Sequence, residues 1–352
     1  MMKRLLLKLI GTPQSGLVLV MLGLGLLLSV FAGTHIDRQT GARINNFLNS
    51  YTLLQTTTDA SFFAIMAVGA TMVIISGGID LSVGAVYALA GVTMALLLRA
   101  VGPLSPGATV LTALGIGLGI GLLCGLINGF MIVSLNVHPF IITLGTMWIF
   151  RGIAFVASKA ESVLVPDALT AVAKASPSGE ALYPVPMLVM LGVTALGAIY
   201  LSRTVMGRHI YAVGGNREAS RYSGLRIGRI LVGVYVLAGL SAGMAALLGS
   251  SYYGSASCAD ATGYELYVIA SAVVGGASLS GGKGSAVSAM LGAMLIILIR
   301  QSIRTLHFDQ NYEWIIIGFA IIVAVVLDQV NARLTGRRLP GARPDARGGD
   351  AG

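Results

Sequence analysis

Residues 109–133 read Thr-Val-Leu-Thr-Ala-Leu-Gly-Ile-Gly-Leu-Gly-Ile-Gly-Leu-Leu-Cys-Gly-Leu-Ile-Asn-Gly-Phe-Met-Ile-Val and carry no charge. About 20 apolar residues in a helix cross the roughly 30 Å hydrocarbon core of a bilayer, so this run is long enough to span one. Gly117, Gly121, Gly125 and Gly129 recur at every fourth position and form one narrow helical face. Small faces let helix backbones approach closely, which is a packing signal with no chemistry attached.

Outward from this run the pattern repeats. Apolar stretches near 16–33, 60–77, 81–99, 109–133, 139–157, 183–202, 230–250, 266–280, 284–304 and 313–330 predict an all-α polytopic membrane protein with about ten transmembrane helices. The eighth is short and interrupted by Gly275-Gly276 and Gly281-Gly282, so it is expected to be broken or re-entrant. The chain of 352 residues is 55% hydrophobic and 11% charged, against about 25% charged for an ordinary soluble domain. The first run follows Lys3, Arg4 and Lys8 as in a secretory signal, but its length and the further spans favour a retained helix.

The net charge of +9 admits nucleic-acid binding or a membrane protein with basic cytoplasmic loops, and placement separates the two. With ten spans and a cytoplasmic N-terminus, fifteen of the twenty-three Lys and Arg residues fall inside and six outside, which excludes a nucleic-acid reading. Arg151 and Arg300 fall within spans. The division is then a tail at 1–15, a transmembrane domain at 16–330 and a basic tail at 331–352, rich in Gly, Arg and Pro and expected to be disordered. Both termini are expected in the cytoplasm. Neither Cys124 nor Cys258 has metal-ligand spacing; Cys258 lies in a polar outer loop, where an impermeant thiol reagent should reach it provided the loop is not covered.

Gly77-Gly78-Ile79-Asp80-Leu81-Ser82-Val83-Gly84 is echoed by Gly275-Gly276-Ala277-Ser278-Leu279-Ser280-Gly281-Gly282, a short internal match of the kind transporters build on. Asp80 reads as the N-cap of the third span, with a direct substrate role as the alternative. Ala277 to Ser285 approaches a phosphate-binding loop, but Gly284 stands where that pattern needs Ser or Thr after Lys283, so nucleotide binding is rejected. Arg151, about 18 Å from the inner end of its span, must face a polar cavity or a partner, or snorkel outward. Arg300, closer to the outer end, is expected to snorkel. Asn128 and Thr143 either line a polar path or tie helices together. Tyr312 and Trp314 fit an outer aromatic belt.

The loop from Arg203 to Arg229 is the informative one. Asn216 is placed to cap a short helix over Arg217 to Ser223, stopped by Gly224. Such a helix could dock in another protein's groove; the alternative is a basic loop that only sets topology.

These residues carry a family resemblance. Over roughly 15–330 the chain resembles permease subunits of ribose-type sugar importers of the ATP-binding cassette class. The resemblance rests on Ser76 to Gly84, Pro139 to Gly145, Gly207 to Asn216, Ser223-Gly224-Leu225 and Val274 to Gly282. It implies that 203–229 is the segment docking on the ATPase, with Gly207, Arg208, Gly214, Gly215, Asn216, Glu218, Ala219, Ser220, Ser223 and Gly224 shaping the contact. Glu218-Ala219-Ser220 stands where the family has a pair of small residues, and Ser220 departs from it. It further implies a second permease subunit, identical or paralogous, two ATPase subunits, a periplasmic sugar-binding protein and a place in the bacterial inner membrane. No cofactor, metal or hydrolytic site is expected on this chain. Asn128, Thr143 and Arg151 are the candidates for the substrate path and Asp80 for a structural cap. An ion-coupled secondary transporter is the alternative, opposed by the absence of Asp or Glu deep within a predicted span; a membrane enzyme lacks a convergent cluster of His, Cys or carboxylates.

Overall fold

The computed structural model describes residues 13–36, 41–175 and 184–316, with five further positions between 318 and 326. The first helix, α1, is Pro13–Phe31, and a small antiparallel hairpin of β1 (Thr34–Ile36) and β2 (Arg43–Asn45) follows it. Then come α2 (Ser50–Ile75), α3 (Val83–Val101), α4 (Pro106–Leu135) and α5 (Pro139–Ser158). Between α5 and the second half come β3 (Val163–Leu164) and the short α6 (Asp167–Ala173), whose Leu169 and Ala173 join the main core. The second half holds α7 (Val185–Arg203), α8 (Val205–Gly215), α9 (Arg217–Tyr222), α10 (Ile227–Tyr253), β4 (Ser255–Ala256), α11 (Tyr264–Val274) and α12 (Ala286–Thr305). Among the described residues eight of these helices are long and apolar enough to cross a membrane. The chain is an all-α polytopic membrane protein. The tails, and most of the span predicted at 313–330, lie outside the described residues.

Burial follows composition. From Ala60 to Ile75, α2 is apolar or small on every side, and a helix apolar all round belongs at the centre of a bundle. It is buried on every side there, packed by α7, α10, α11 and α12, whereas α1 touches mainly α12 and leaves most of its surface to lipid. The glycine face of α4 lies against α10. A methyl group at Gly129 would come 2.7 Å from Val232 Cα, and Gly121 faces Gly239 backbone to backbone. Only hydrogen side chains permit that approach.

One boundary departs from expectation, and the expected break of the eighth span is present. α2 begins ten residues before the predicted 60, capped by the Asn49 side chain, which accepts the Thr52 N–H at 2.8 Å. The polar run Gln55 to Asp59 hid this turn; in the fold those groups are paired, as described below. The eighth span is broken: α11 has 11 residues, about 16 Å of helix, too short to cross. Gly276 (φ 92) and Gly77 (φ 83) end α11 and α2 in the same way, their N–H groups bonding back to Val273 and Ile74. The cap therefore aligns Gly77 with Gly276, one residue out of the register that the sequence echo suggested.

Candidate functional site

The segment between α7 and α10 folds into two short helices. Thr204 caps α8 by accepting the Gly207 N–H at 3.0 Å, and Asn216 caps α9 by accepting the Ala219 N–H at 2.9 Å. Ser223 Oγ donates to Ala219 O, and Gly224 (φ +80) ends α9 close to the expected place. Ser220 is buried, whereas Arg208, Glu218, Ala219, Ser223 and especially Tyr222 are exposed. Helix α8 was not foreseen; its signal was Thr204 three residues before Gly207, whose missing Cβ lets the chain turn against the Tyr200 and Leu201 carbonyls.

The inner end of α8 joins the two glycine loops. Gly214 lies on the Ile75 carbonyl and on Gly281, and Gly215 on Gly282. Gly282 donates its N–H to Ile75 O at 2.8 Å, so the loop that superficially suggested phosphate binding spends that donor inside the protein. Tyr211 OH donates to Gly284 O at 2.8 Å, and burial holds this phenol above its ordinary pKa, keeping the donor protonated. One short helix thus touches the end of α2 and the connection from α11 to α12.

Asp80 is not itself the N-cap of α3, because Ser82 occupies that position. Asp80 sits two residues ahead and accepts both the Ser82 N–H (2.8 Å) and its hydroxyl (2.7 Å). The network continues through buried groups: Asn128 Nδ2 donates to Ser82 Oγ at 2.8 Å, and Thr146 Oγ1 donates to Asn128 Oδ1 at 2.6 Å. Thr143 Oγ1 and Tyr235 OH both reach the Ile79 carbonyl. Asn128 is 1% exposed and Thr143 fully buried, and their bonds tie α3, α4 and α5 together.

Arg151 has found partners that the sequence could not name. Its guanidinium donates to the carbonyls of Cys258 (2.9 Å), Asp260 and Ala261 (3.2 Å). That connection folds back along α3, with Ala256 opposite Gly91 and Ala261 opposite Gly84. Cys258 is in consequence 1% exposed, which corrects the expectation of an accessible thiol. Sequence polarity marked a loop but could not show that it turns inward.

Two further pairs of charges meet. Arg300 does not snorkel: its Nε lies 3.0 Å from Glu313 Oε1, which also accepts the Tyr267 hydroxyl at 2.6 Å. Asp59, brought inside a helix by the earlier start of α2, lies 3.6 Å from Arg304 and accepts from Gln55 and Tyr253. An acid does therefore lie within a spanning helix, where the sequence reading saw none. Tyr312 and Trp314 are exposed, as a belt requires.

The family described as "Branched-chain amino acid transport system / permease component" matches residues 52–325. The D-allose transport system permease of Escherichia coli K12 is 37% identical, covering 81% of this chain and 85% of its own length. The ribose import permease of the same strain is 36% identical, covering 81% and 86%. The fructose import permease of Rhizobium meliloti is 32% identical, covering 80% and 79%. No solved structure matches. Spanning helices, a capped helix pair between α7 and α10, and this similarity across four fifths of the sequence lead to one conclusion: the chain belongs to the family of branched-chain amino acid transport system permease components, among relatives that are sugar import permeases.

Proposed function

We propose that this chain is the membrane-spanning permease subunit of an ATP-binding cassette importer that carries a monosaccharide, whether pentose, hexose or polyol. A periplasmic binding protein delivers the sugar, two ATPase subunits work from the cytoplasm, and a second permease, identical or paralogous, completes the path. ATP hydrolysis belongs to the ATPases. The excess of basic residues on the side of the 203–229 segment supports a cytoplasmic position for it and for both termini.

The observation that carries this reading is the seat of α8 on both glycine loops. A push on α9 passes through Asn216 into α8, and the Gly214 and Gly215 contacts hand it to the ends of α2 and α11 and the start of α12. In this mechanism those helices tilt and open the path to one side at a time. Arg151 acts from the path wall by holding the inward-folded connection in place. Asn128 and Thr143 act by fixing the helices that bound the path. Selectivity rests largely with the binding protein, so few polar groups need line the route.

Ala219 tests the docking role. It lies on the exposed side of α9, where close contact needs a small residue. Overpacking a fitted contact costs about 1–3 kcal/mol, enough to weaken ATPase docking roughly tenfold. Ala219→Arg permease should reach the membrane, recover about a tenth of the ATPase in a pull-down and lose sugar uptake. Full recovery with normal uptake would remove α9 as the docking element.

A further inference from the structure

Beneath α9 lies an open groove of about 410 Å³, bounded by the last turn of α4 (Ile132, Val133 and Asn136), by Leu225 and Leu231, and by the Arg217–Arg221 side of the helix. α9 has two faces. Ala219, Tyr222 and Ser223 point to solvent, with Tyr222 90% exposed. Arg217 and Arg221, one turn apart, stand on the opposite side over the groove together with Glu218. Like charges at this spacing repel. Among the described residues neither guanidinium has a side-chain hydrogen bond or ion pair, and Glu218 pairs with neither. The groove lies where the spanning helix α4 ends and the spanning helix α10 begins, and Val133 on its lining is exposed, as is the neighbouring Leu135.

We propose that this groove seats an anionic phospholipid of the cytoplasmic leaflet, its phosphate between Arg217 and Arg221 and its glycerol and upper acyl carbons on Val133 and Leu231. Arginine forks match phosphate oxygens, and basic groups at the surface of a membrane draw anionic lipid. The lipid neutralises the paired arginines and supports α9 from below while its outer face meets the ATPase. This last step rests on the coupling role given above to α9.

The test places the permease in nanodiscs of phosphatidylcholine alone or mixed with phosphatidylglycerol. Retained lipid is counted by native mass spectrometry and ATPase recovery is measured beside it. Wild-type protein should retain phosphatidylglycerol over phosphatidylcholine, and R217Q/R221Q should lower that preference roughly thirtyfold, as expected for two basic groups near the surface. R217K/R221K keeps the charge and should keep most of the preference, which covers the case that the glutamine variant fails to fold. R226Q/R229Q removes equal charge from the same segment outside the groove's cationic pair and should leave retention unchanged. Equal retention by wild type and R217Q/R221Q would overturn the proposal; so would equal loss in R226Q/R229Q, which means diffuse attraction only. Release of the lipid when ATPase binds would also overturn it, by making the ATPase the occupant. Failure of ATPase recovery in every lipid, with retention following the expected pattern, would instead remove the coupling reading and leave the lipid site standing.

Discussion

Arg151 shows how one residue reports on its surroundings. A guanidinium at that depth demands compensation, and the fold supplies three carbonyls from a connection more than a hundred positions away in the chain. Removing the donor leaves those carbonyls unmet and the inward fold of 257–263 without its anchor. Arg151→Met should therefore expose Cys258. Its maleimide labelling, slow in wild-type protein where the thiol is buried, should rise roughly tenfold, in keeping with loss of a charged hydrogen-bond cluster worth at least ~1.5 kcal/mol. Unchanged labelling would mean that packing alone holds the connection. Asp80 makes a different point at the same scale. A carboxylate just before a helix is expected to bond nearby N–H groups, and it does, accepting the Ser82 N–H, but the cap position itself falls to Ser82.

At the scale of elements, the short α8 matters more than its length suggests. Gly214 sits where any Cβ would strike the Ile75 carbonyl and come 2.7 Å from the Gly282 nitrogen. Gly214→Ala should therefore lift α8 off both loops. The outer face of α9 is untouched, so the ATPase should still be recovered in full. Uptake should fall about tenfold, the effect of roughly 1–3 kcal/mol of overpacking at a transmitting contact. ATP hydrolysis should continue without transport. Loss of ATPase binding in this variant would mean that α8 and α9 are one docking unit and that the glycine loops transmit nothing separately.

For the whole molecule, single cysteines read orientation. In a Cys258→Ser, Cys124→Ser background, Tyr222→Cys on α9 should react with an impermeant maleimide only after spheroplasts are opened. Tyr312→Cys, exposed near the far end of α12, should react in intact ones. The reverse pattern would invert the molecule and place α9 out of reach of any cytoplasmic ATPase.

The class of the molecule was legible in the chain alone: apolar runs of spanning length, eight of which form spanning helices among the described residues, the glycine face of α4 and the Asn216-capped helix. Each of these is a local matter of hydropathy, spacing or capping, complete within a few turns of chain. Tertiary structure alone decided the rest. It set the polar first turns of α2 against Tyr253 and Arg304, paired Arg300 with Glu313, buried Cys258 under Arg151, and brought Gly214 and Gly215 onto glycines some seventy residues later. In a bilayer a polar group must find its partner inside the protein, and that partner is selected by how helices pack, which no single stretch of sequence contains.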